Sequence, residues 1–323
     1  MHLKEQTTLT YQPLSLTIAG HVATLTLNQP DDANALNARM AAEFLDVAML
    51  GSADANVHAV LVSATGKMFC AGGDLKEMQA QGNARPAHVT HMATDPHAAL
   101  TRFAHMDAPM VMAVNGTAAG AGFSMALSGD FAVASDKAWF LSAYTASGLT
   151  PDDSSTYFLP KHAGLLHAKE LILTNCMLSA EGACAWGIVN RGVPAGELMA
   201  EARKMALRFA SRPTKAFGGL RQLLHTADSG TLETQLDLET RSIAGMRSHD
   251  GPHGLESFLY KKPPGFKGAR EAEAPSGPGS GPRWRAARLR RASNRRIKPA
   301  KAPRSCPPPP GAAPAPRPAR WPV

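Results

Sequence analysis

The stretch MFCAGGDLKEM, residues 68–78, follows the apolar run VHAVLVSATG at residues 57–66, and its reading decides the fold. The run has the length and composition of a buried strand. A strand that ends in Ala71-Gly72-Gly73-Asp74 gives up side chains where packing would want them. Adjacent glycines permit positive φ and let another group come close to the backbone. The device recurs in APMVMAVNGTAAGAGFSMALSGD, residues 108–130, which reads as a strand, a turn punctuated by Gly116, Gly120 and Gly122, and a helix.

Working outward, LSLTIAGHVATLTLNQP (14–30) alternates apolar and polar residues around Gly20, the pattern of a two-stranded hairpin closed by Pro30. NALNARMAAEFLDVAML (34–50) predicts a helix beginning near Asn34 or Asn37. A strand at 57–65, the first glycine turn and a short helix from about Leu75 follow. HVTHMATDPHAALTRFAHM (88–106) reads as helical with an interruption at Pro96, and FAVASDKAWFLSA (131–143) as a strand pair. Strand, turn and helix thus repeat, with glycine at the carboxyl end of each strand. The fold class this implies is α/β, built from stacked ββα units.

From about residue 195 the pattern is helical, with Leu198, Ala202, Met205 and Phe209 on one face. Three regions are expected: an α/β core at 1–197, a helical assembly region at 198–268, and a tail at 269–323. The tail is rich in Pro, Ala, Arg and Gly and lacks an aliphatic pattern, so disorder is expected there.

The formal net charge of +8 misleads until it is located. The tail holds 13 Lys/Arg against Glu271 and Glu273, which leaves 21 Lys/Arg against 24 Asp/Glu in residues 1–268, a net of −3. The folded part is mildly acidic. The Arg-rich tail with Trp284 and Trp321 suggests a nucleic-acid contact, weighed against a solvated extension, which is the expectation. No run of eighteen apolar residues and no secretory h-region appear, so no membrane span is expected and the cytoplasm is the predicted compartment. Cys70, Cys176, Cys184 and Cys306 form no C-x-x-C pair and read as reduced thiols. Cys70 is expected to be a buried apolar filler.

Each glycine turn leaves unpaired backbone N–H groups where a helix starts. Two such turns, each after a core strand, could aim two donors at one point, the geometry that stabilises a carbonyl gaining negative charge. Neither turn carries G-x-x-x-x-G-K-[ST], and no dinucleotide fingerprint follows the first strand, which argues against a nucleotide site.

Four ordered motifs, NQPDDANALN (28–37), MFCAGGDLKEM (68–78), AVNGTAAGAGFSMALSGD (113–130) and GLTPDDSSTYFLPKHAG (148–164), together resemble the crotonase (enoyl-CoA hydratase/isomerase) superfamily over roughly residues 14–267. The resemblance implies a spiral of ββα units with C-terminal helices that form homotrimers or dimers of trimers. It implies an acyl-CoA thioester substrate and no separate cofactor or metal. The thioester oxygen would be held by the N–H groups of Gly73 and Ala121. Ala71 with its neighbours Gly72 and Asp74, Gly120 beside the second donor, and Ala33 would contact substrate, Ala71 and Ala33 at the adenine end of CoA. Lys261 or Lys262 would reach its phosphates, or form a solvated terminus. Asp74 is also read as the residue that orders its turn or starts a helix.

Hydratases of this family use two glutamates, whose positions by motif are Ser124 and Tyr144 here, so the usual hydration mechanism is not expected. A seryl hydroxyl is not a useful base at neutral pH. The motif points instead to Asp152, which in double-bond isomerases of the family is the single carboxylate just after a proline. The closest branch in motif is that of enoyl-CoA and ring-epoxide phenylacetyl-CoA isomerases. A hydratase with non-standard residues and a catalytically weak CoA-binding or nucleic-acid-binding member are the alternatives. Asp152, Asp153 or Ser154 could equally cap the helix that follows. Asp153 stands where the family usually has glycine, and its charge could replace, disturb or raise the proton affinity of Asp152. His88, His91, His97 and His105 match no zinc spacing and are expected to be exposed helix residues. Tyr144 and Met78 could line the acyl pocket or equally pack in the core.

Overall fold

The computed structural model describes residues 7–246, 250–266 and 268. The tail, with its proposed disorder, Trp284, Trp321 and Cys306, lies outside the described residues. All of those described fall within the compact unit Met1–Ala272.

The hairpin around Gly20 is strand β2 (Leu14–Ala19) against β3 (Val22–Leu27), with β1 (Thr7–Thr10) paired antiparallel outside it. Helix α1 (Ala38–Ala53) starts where Asn37 accepts a bond from Met40 N at 2.8 Å, which satisfies one of the open N–H groups of the first turn. Asn34, the other predicted start, is instead a clamp. It sits at φ 54, and its amide donates to Thr65 O at 2.9 Å and Met68 O at 3.0 Å.

Three successive passes then build two sheets at once. The first is β4 (Ala59–Ala64) and β5 (Met68–Cys70), followed by α2 (Leu75–Ala80) and α3 (Arg85–His105). The second is β6 (Met110–Val114) and β7 (Thr117–Ala119), followed by α4 (Ala121–Leu127). The third is β8 (Phe131–Ser135) and β9 (Trp139–Leu141), followed by α5 (Ser155–Thr174). The first strand of each pass joins a seven-stranded sheet of order β1-β2-β3-β4-β6-β8-β11. The second strand joins a four-stranded sheet of order β10-β9-β7-β5. Here β10 is Leu178–Ser179 and β11 is Arg191–Val193, with α6 (Ala180–Ala185) between them. Strands β3, β4, β6, β8 and β11 run parallel, as do β5, β7 and β9. This is the ββα spiral, and its central parallel strands β4, β6 and β8 are buried on both faces as their continuous apolar runs require.

Two readings change. β8 and β9 do not pair with each other but lie in different sheets. Pro96 does not interrupt its helix: α3 runs through it, and the ring is buried. A mid-helix proline loses one hydrogen bond and strains the preceding turn. Here the helix is held by packing on α1, where the Phe44 and Phe103 rings lie 5.3 Å apart.

The helical C-terminal stretch comprises α7 (Leu198–Ala210), α8 (Thr214–Thr226), α9 (Leu232–Gly245) and α10 (Gly251–Leu259). Leu198, Ala202, Met205 and Ala206 of α7 bury against Val22, Leu61, Val111 and Val133, so α7 covers one face of the large sheet. Helix α8 is docked by Arg221, which is buried. It donates to Phe103 O at 2.7 Å, to Ala108 O at 3.1 Å and to Met106 O, and pairs with Asp130 at 2.7 Å. Those carbonyls belong to the end of α3 and the loop after it, where helical C=O groups would otherwise lack partners. No helix among the described residues is long and apolar enough to cross a membrane.

Candidate active site

The site lies where β5 and β7 end. After β5, the segment Ala71–Asp74 runs beside residues 33–36. Ala71 N donates to Ala33 O (3.0 Å), Leu36 N to Gly72 O (2.7 Å) and Asp74 N to Leu36 O (2.9 Å). The last two bonds make a parallel bridge between Leu36 and Gly73, in which Gly72 and Asp74 supply the bonding groups. The bridged residue's own N–H therefore faces away from Leu36, and that of Gly73 has no acceptor among the described residues. After β7, Gly120 turns at φ 52 and Ala121 opens α4, so its N–H too has no helical acceptor.

The two turns touch. A Cβ on Gly72 would stand 3.0 Å from Ala119 O, 3.3 Å from Ala121 N and 3.4 Å from Gly120 Cα. Gly72 itself lies at φ 97, which side chains rarely adopt. The glycines are there because two backbones pass at contact distance.

Above the turns is a cavity of about 220 Å³ lined by Ala71, Gly72, Gly73, Gly120, Ala121, Tyr144, Asp152 and Asp153. Its apolar wall is Leu75, Met78, Val89, Met92 and Pro96 from α2 and α3, with Leu36 and Leu149. Its polar side chains, Tyr144, Ser147, Thr150, Asp152 and Asp153, all come from one stretch of chain, and a mostly apolar lining with a few polar groups is the ordinary character of a small-molecule site. Of the two readings of Met78 and Tyr144, pocket or core, the lining position is the one observed. Three predicted site residues do not line the cavity. Ala33, at φ 53, contributes its carbonyl to Ala71 N. Asp74 caps α2 by accepting from Lys76 N (2.9 Å) and Glu77 N (3.0 Å). Ser124 is fully buried behind the lining. Its Oγ lies 3.0 Å from the Tyr144 hydroxyl, 3.1 Å from Asp152 O and 3.2 Å from Gly120 O, and so ties three cavity segments together.

The carboxylates sit on the loop before α5. The N-cap of that helix is Ser154 at φ 70, and no side chain there makes a capping bond. Asp152 Oδ1, Asp153 Oδ1 and Ser154 Oγ are all buried without a hydrogen-bond partner. Asp152 and Asp153 instead line the cavity. Asp153 adopts φ 48, a left-handed angle that suits glycine and that Asp and Asn tolerate better than most residues.

Burial, then the neighbouring Asp152 charge, pushes the Asp153 carboxyl up to about 8. Burial above all, with Asp152 next, pushes the Tyr144 phenol up, so it remains a protonated donor. Burial likewise pushes the Cys70 thiol up to about 12, and its Sγ accepts from Gly72 N at 3.4 Å, which rules out a thiolate nucleophile at neutral pH.

His97 is what sequence spacing passed over. Although half-exposed, its Nε2 lies 3.3 Å from Asp153 Oδ1 and accepts from Asp153 N at 3.2 Å. His88 also departs from the expected exposed ring: it is largely covered and faces Glu77 at 3.2 Å. Lys261 and Lys262 follow α10 and are exposed, and neither lines the cavity.

The family described as Enoyl-CoA hydratase/isomerase matches residues 17–269. The chain is 37% identical over 251 residues to 1,2-epoxyphenylacetyl-CoA isomerase of Escherichia coli (strain K12), covering 76% of this chain and 95% of that protein. It is 32% identical over 236 residues to 4-chlorobenzoyl coenzyme A dehalogenase-2 of an Arthrobacter species, covering 73% and 85%. Among solved structures, an enoyl-CoA hydratase from Polaromonas sp. JS666 superposes with a TM-score of 0.73 at 29% identity, covering 81% of this chain and 99% of that one. The relatives are named for different reactions on CoA esters.

Proposed function

The chain belongs to the enoyl-CoA hydratase/isomerase family of enzymes, and from that premise we propose that it isomerises an enoyl-CoA or related CoA ester through an enolate. The observation that carries this reading is one cavity holding two unengaged backbone N–H groups, of Gly73 and Ala121, and the unpartnered carboxyl oxygen of Asp152.

In the proposed reaction the thioester oxygen accepts from both N–H groups. Asp152 removes a proton from the α carbon, and the electron pair moves onto that oxygen as the enolate forms. The carbonyl then re-forms as the proton is delivered at the γ carbon, which moves the double bond into conjugation. Donors fixed where charge develops are typically worth about 3–4 kcal/mol each at the transition state. The apolar wall from α2 and α3 excludes water and leaves the carboxylate as the base at hand. Among the described residues no glutamate lines the cavity, which supports isomerisation over the two-glutamate hydration route. The CoA thioester is the only small molecule this chemistry requires.

Assembly as a homotrimer or dimer of trimers belongs to the same proposal. Leu220, Leu224, Leu232, Leu236, Ile243, Leu255 and Phe258 of α8 to α10 are exposed apolar residues, more than a lone protomer normally shows on one set of helices. Light scattering on the purified chain reads the subunit number. A cytoplasmic site of action is consistent with free thiols at Cys70, Cys176 and Cys184.

The test is a 3-enoyl-CoA substrate followed by the near-ultraviolet absorbance of the conjugated product. Wild type is expected to form it, and Asp152→Asn to lose at least a hundredfold in kcat, the lower range for removing a positioned base. Loss of absorbance from a 2-enoyl-CoA, with no action on the 3-enoyl compound, would support the hydratase alternative instead.

A further inference from the structure

The buried carboxyl of Asp153 and the ring of His97 have no part in the reaction as derived, yet they meet beside the proposed base. The Asp153 side chain is 7% exposed, and its Oδ1 has no hydrogen-bond partner. Ligand-type atoms of His97, Asp152 and Asp153 all lie within 4.8 Å of one another. His97 sits on α3 next to Pro96, which lines the cavity, and its side chain is 48% exposed. The three groups therefore run from the cavity through a buried position to the surface.

The contact gives the His97 ring nitrogen two alternative partners on Asp153. Nε2 of His97 accepts from the backbone N–H of Asp153, so its lone pair points toward that loop. At 3.3 Å the Asp153 Oδ1 then faces the same nitrogen. The neutral ring has one lone pair at Nε2, and the Asp153 N–H occupies it in this contact. When a proton reaches Nε2, the ring gives up that acceptor role and donates N–H···O to Oδ1, 3.3 Å away. The groups that face Asp153 are Asp152 on its own loop, Tyr144 after β9, Cys70 at the end of β5 and His97 on α3. None is a fixed cation, so nothing there favours a permanently ionised carboxylate.

We propose that Asp153 and His97 form a proton path between Asp152 and solvent, so that the proton taken from substrate exchanges with water during turnover. The path rests on Asp152 being the base. The α C–H bond breaks and an O–H bond forms on Asp152. Asp152 and Asp153 exchange a proton, Asp153 passes one to Nε2 of His97, and the ring releases one from Nδ1 to water. The reverse sequence returns a solvent proton to Asp152 for the γ carbon. Protons in equal those out, and no electrons leave the substrate. His97 and Asp153 act through Asp152 and are positioning residues.

The test is isomerisation of a 3-enoyl-CoA in D₂O, with deuterium at the γ carbon of the product read by mass spectrometry per turnover. Wild type should place deuterium in most product molecules. His97→Gln keeps an acceptor for the Asp153 N–H but cannot relay a proton, so its product should lose most of that label. Equal label in the two proteins, or none in wild type, overturns the proposal.

Two further measurements separate this from the isomerase reading. If no 3-enoyl-CoA is turned over, that reading fails. The path is then read from α C–H exchange of a saturated acyl-CoA in D₂O, lost in Asp152→Asn and slowed in His97→Gln if the path exists. Exchange unaffected by His97→Gln overturns it. Infrared spectra at neutral pH should show a protonated-carboxyl C=O stretch that Asp153→Asn removes; its absence from wild type also overturns the proposal.

Discussion

Replacing Gly72 by Ala tests whether the two turns work as one device. The new Cβ would meet Ala119 O at 3.0 Å and Ala121 N at 3.3 Å. Both distances are shorter than ordinary van der Waals contact, so the second turn must move by a few tenths of an ångström. The residue must also be held at φ 97, where an L side chain is strained by about 1–3 kcal/mol. Overpacking adds about 1–3 kcal/mol. The summed loss of about 2–6 kcal/mol corresponds to a fall in melting temperature of about 4–24 °C at about 2–4 °C per kcal/mol. Catalysis should suffer more specifically. Removing one oxyanion donor outright lowers kcat by about 10²–10³, and displacing Ala121 N by a fraction of an ångström should give about 10–10².

The assay is kcat and KM on a 3-enoyl-CoA well below the melting temperature, beside a thermal melt. Gly82→Ala is the control. Gly82 sits at φ 52, and its Cβ would meet nothing within 4 Å, so it carries backbone strain without touching the site. A folded Gly72→Ala protein with wild-type kcat would falsify the claim that contact between the turns sets the donor geometry.

Other substitutions address the fold and the carboxyl pair. Arg221→Ala should destabilise the protein by about 3–5 kcal/mol, because it leaves buried carbonyls and Asp130 without their cation. A chemical denaturation curve within 1 kcal/mol of wild type would contradict that account of how α8 docks. Asp153→Asn should change how stability depends on pH. An unfolded aspartate gives up its proton near 3.8, whereas folded Asp153 keeps it to about 8. In that window the folded state binds the extra proton, so stability from this group is greatest below it and falls as pH rises through it. The variant removes that loss, and Asn accepts the φ of 48. Its melting temperature relative to wild type should therefore rise between about pH 5 and about pH 8, and a flat difference would contradict the raised value.

The legible part of the fold was the part written in local pattern. The Gly20 hairpin, the buried run of β4 and the Asn37 cap each announce themselves within a few residues. The second sheet did not, because β5, β7 and β9 have three residues each, too few for an alternation to register. Pro96 misled for a related reason: local sequence shows the lost hydrogen bond but not the burial on the far side that outweighs it. At the site, the glycine turns were legible because backbone contact leaves glycine behind in the sequence. Ser124 sat at the position of a substrate-facing residue, and only the packing shows it buried behind Gly120 and Tyr144. His97 and Asp153 are 56 positions apart, and nothing in the spacing of either links a helix histidine to a loop carboxyl. A carboxylate at a glycine position was the one available signal that something there needed a neighbour.

The most direct measurement is a crystal structure with a non-reactive acyl-CoA thioester bound. The account predicts the thioester oxygen about 2.7–3.1 Å from both Gly73 N and Ala121 N, with the Asp152 carboxylate beside the α carbon. An oxygen held by only one of those nitrogens, or by a side chain instead, would contradict it.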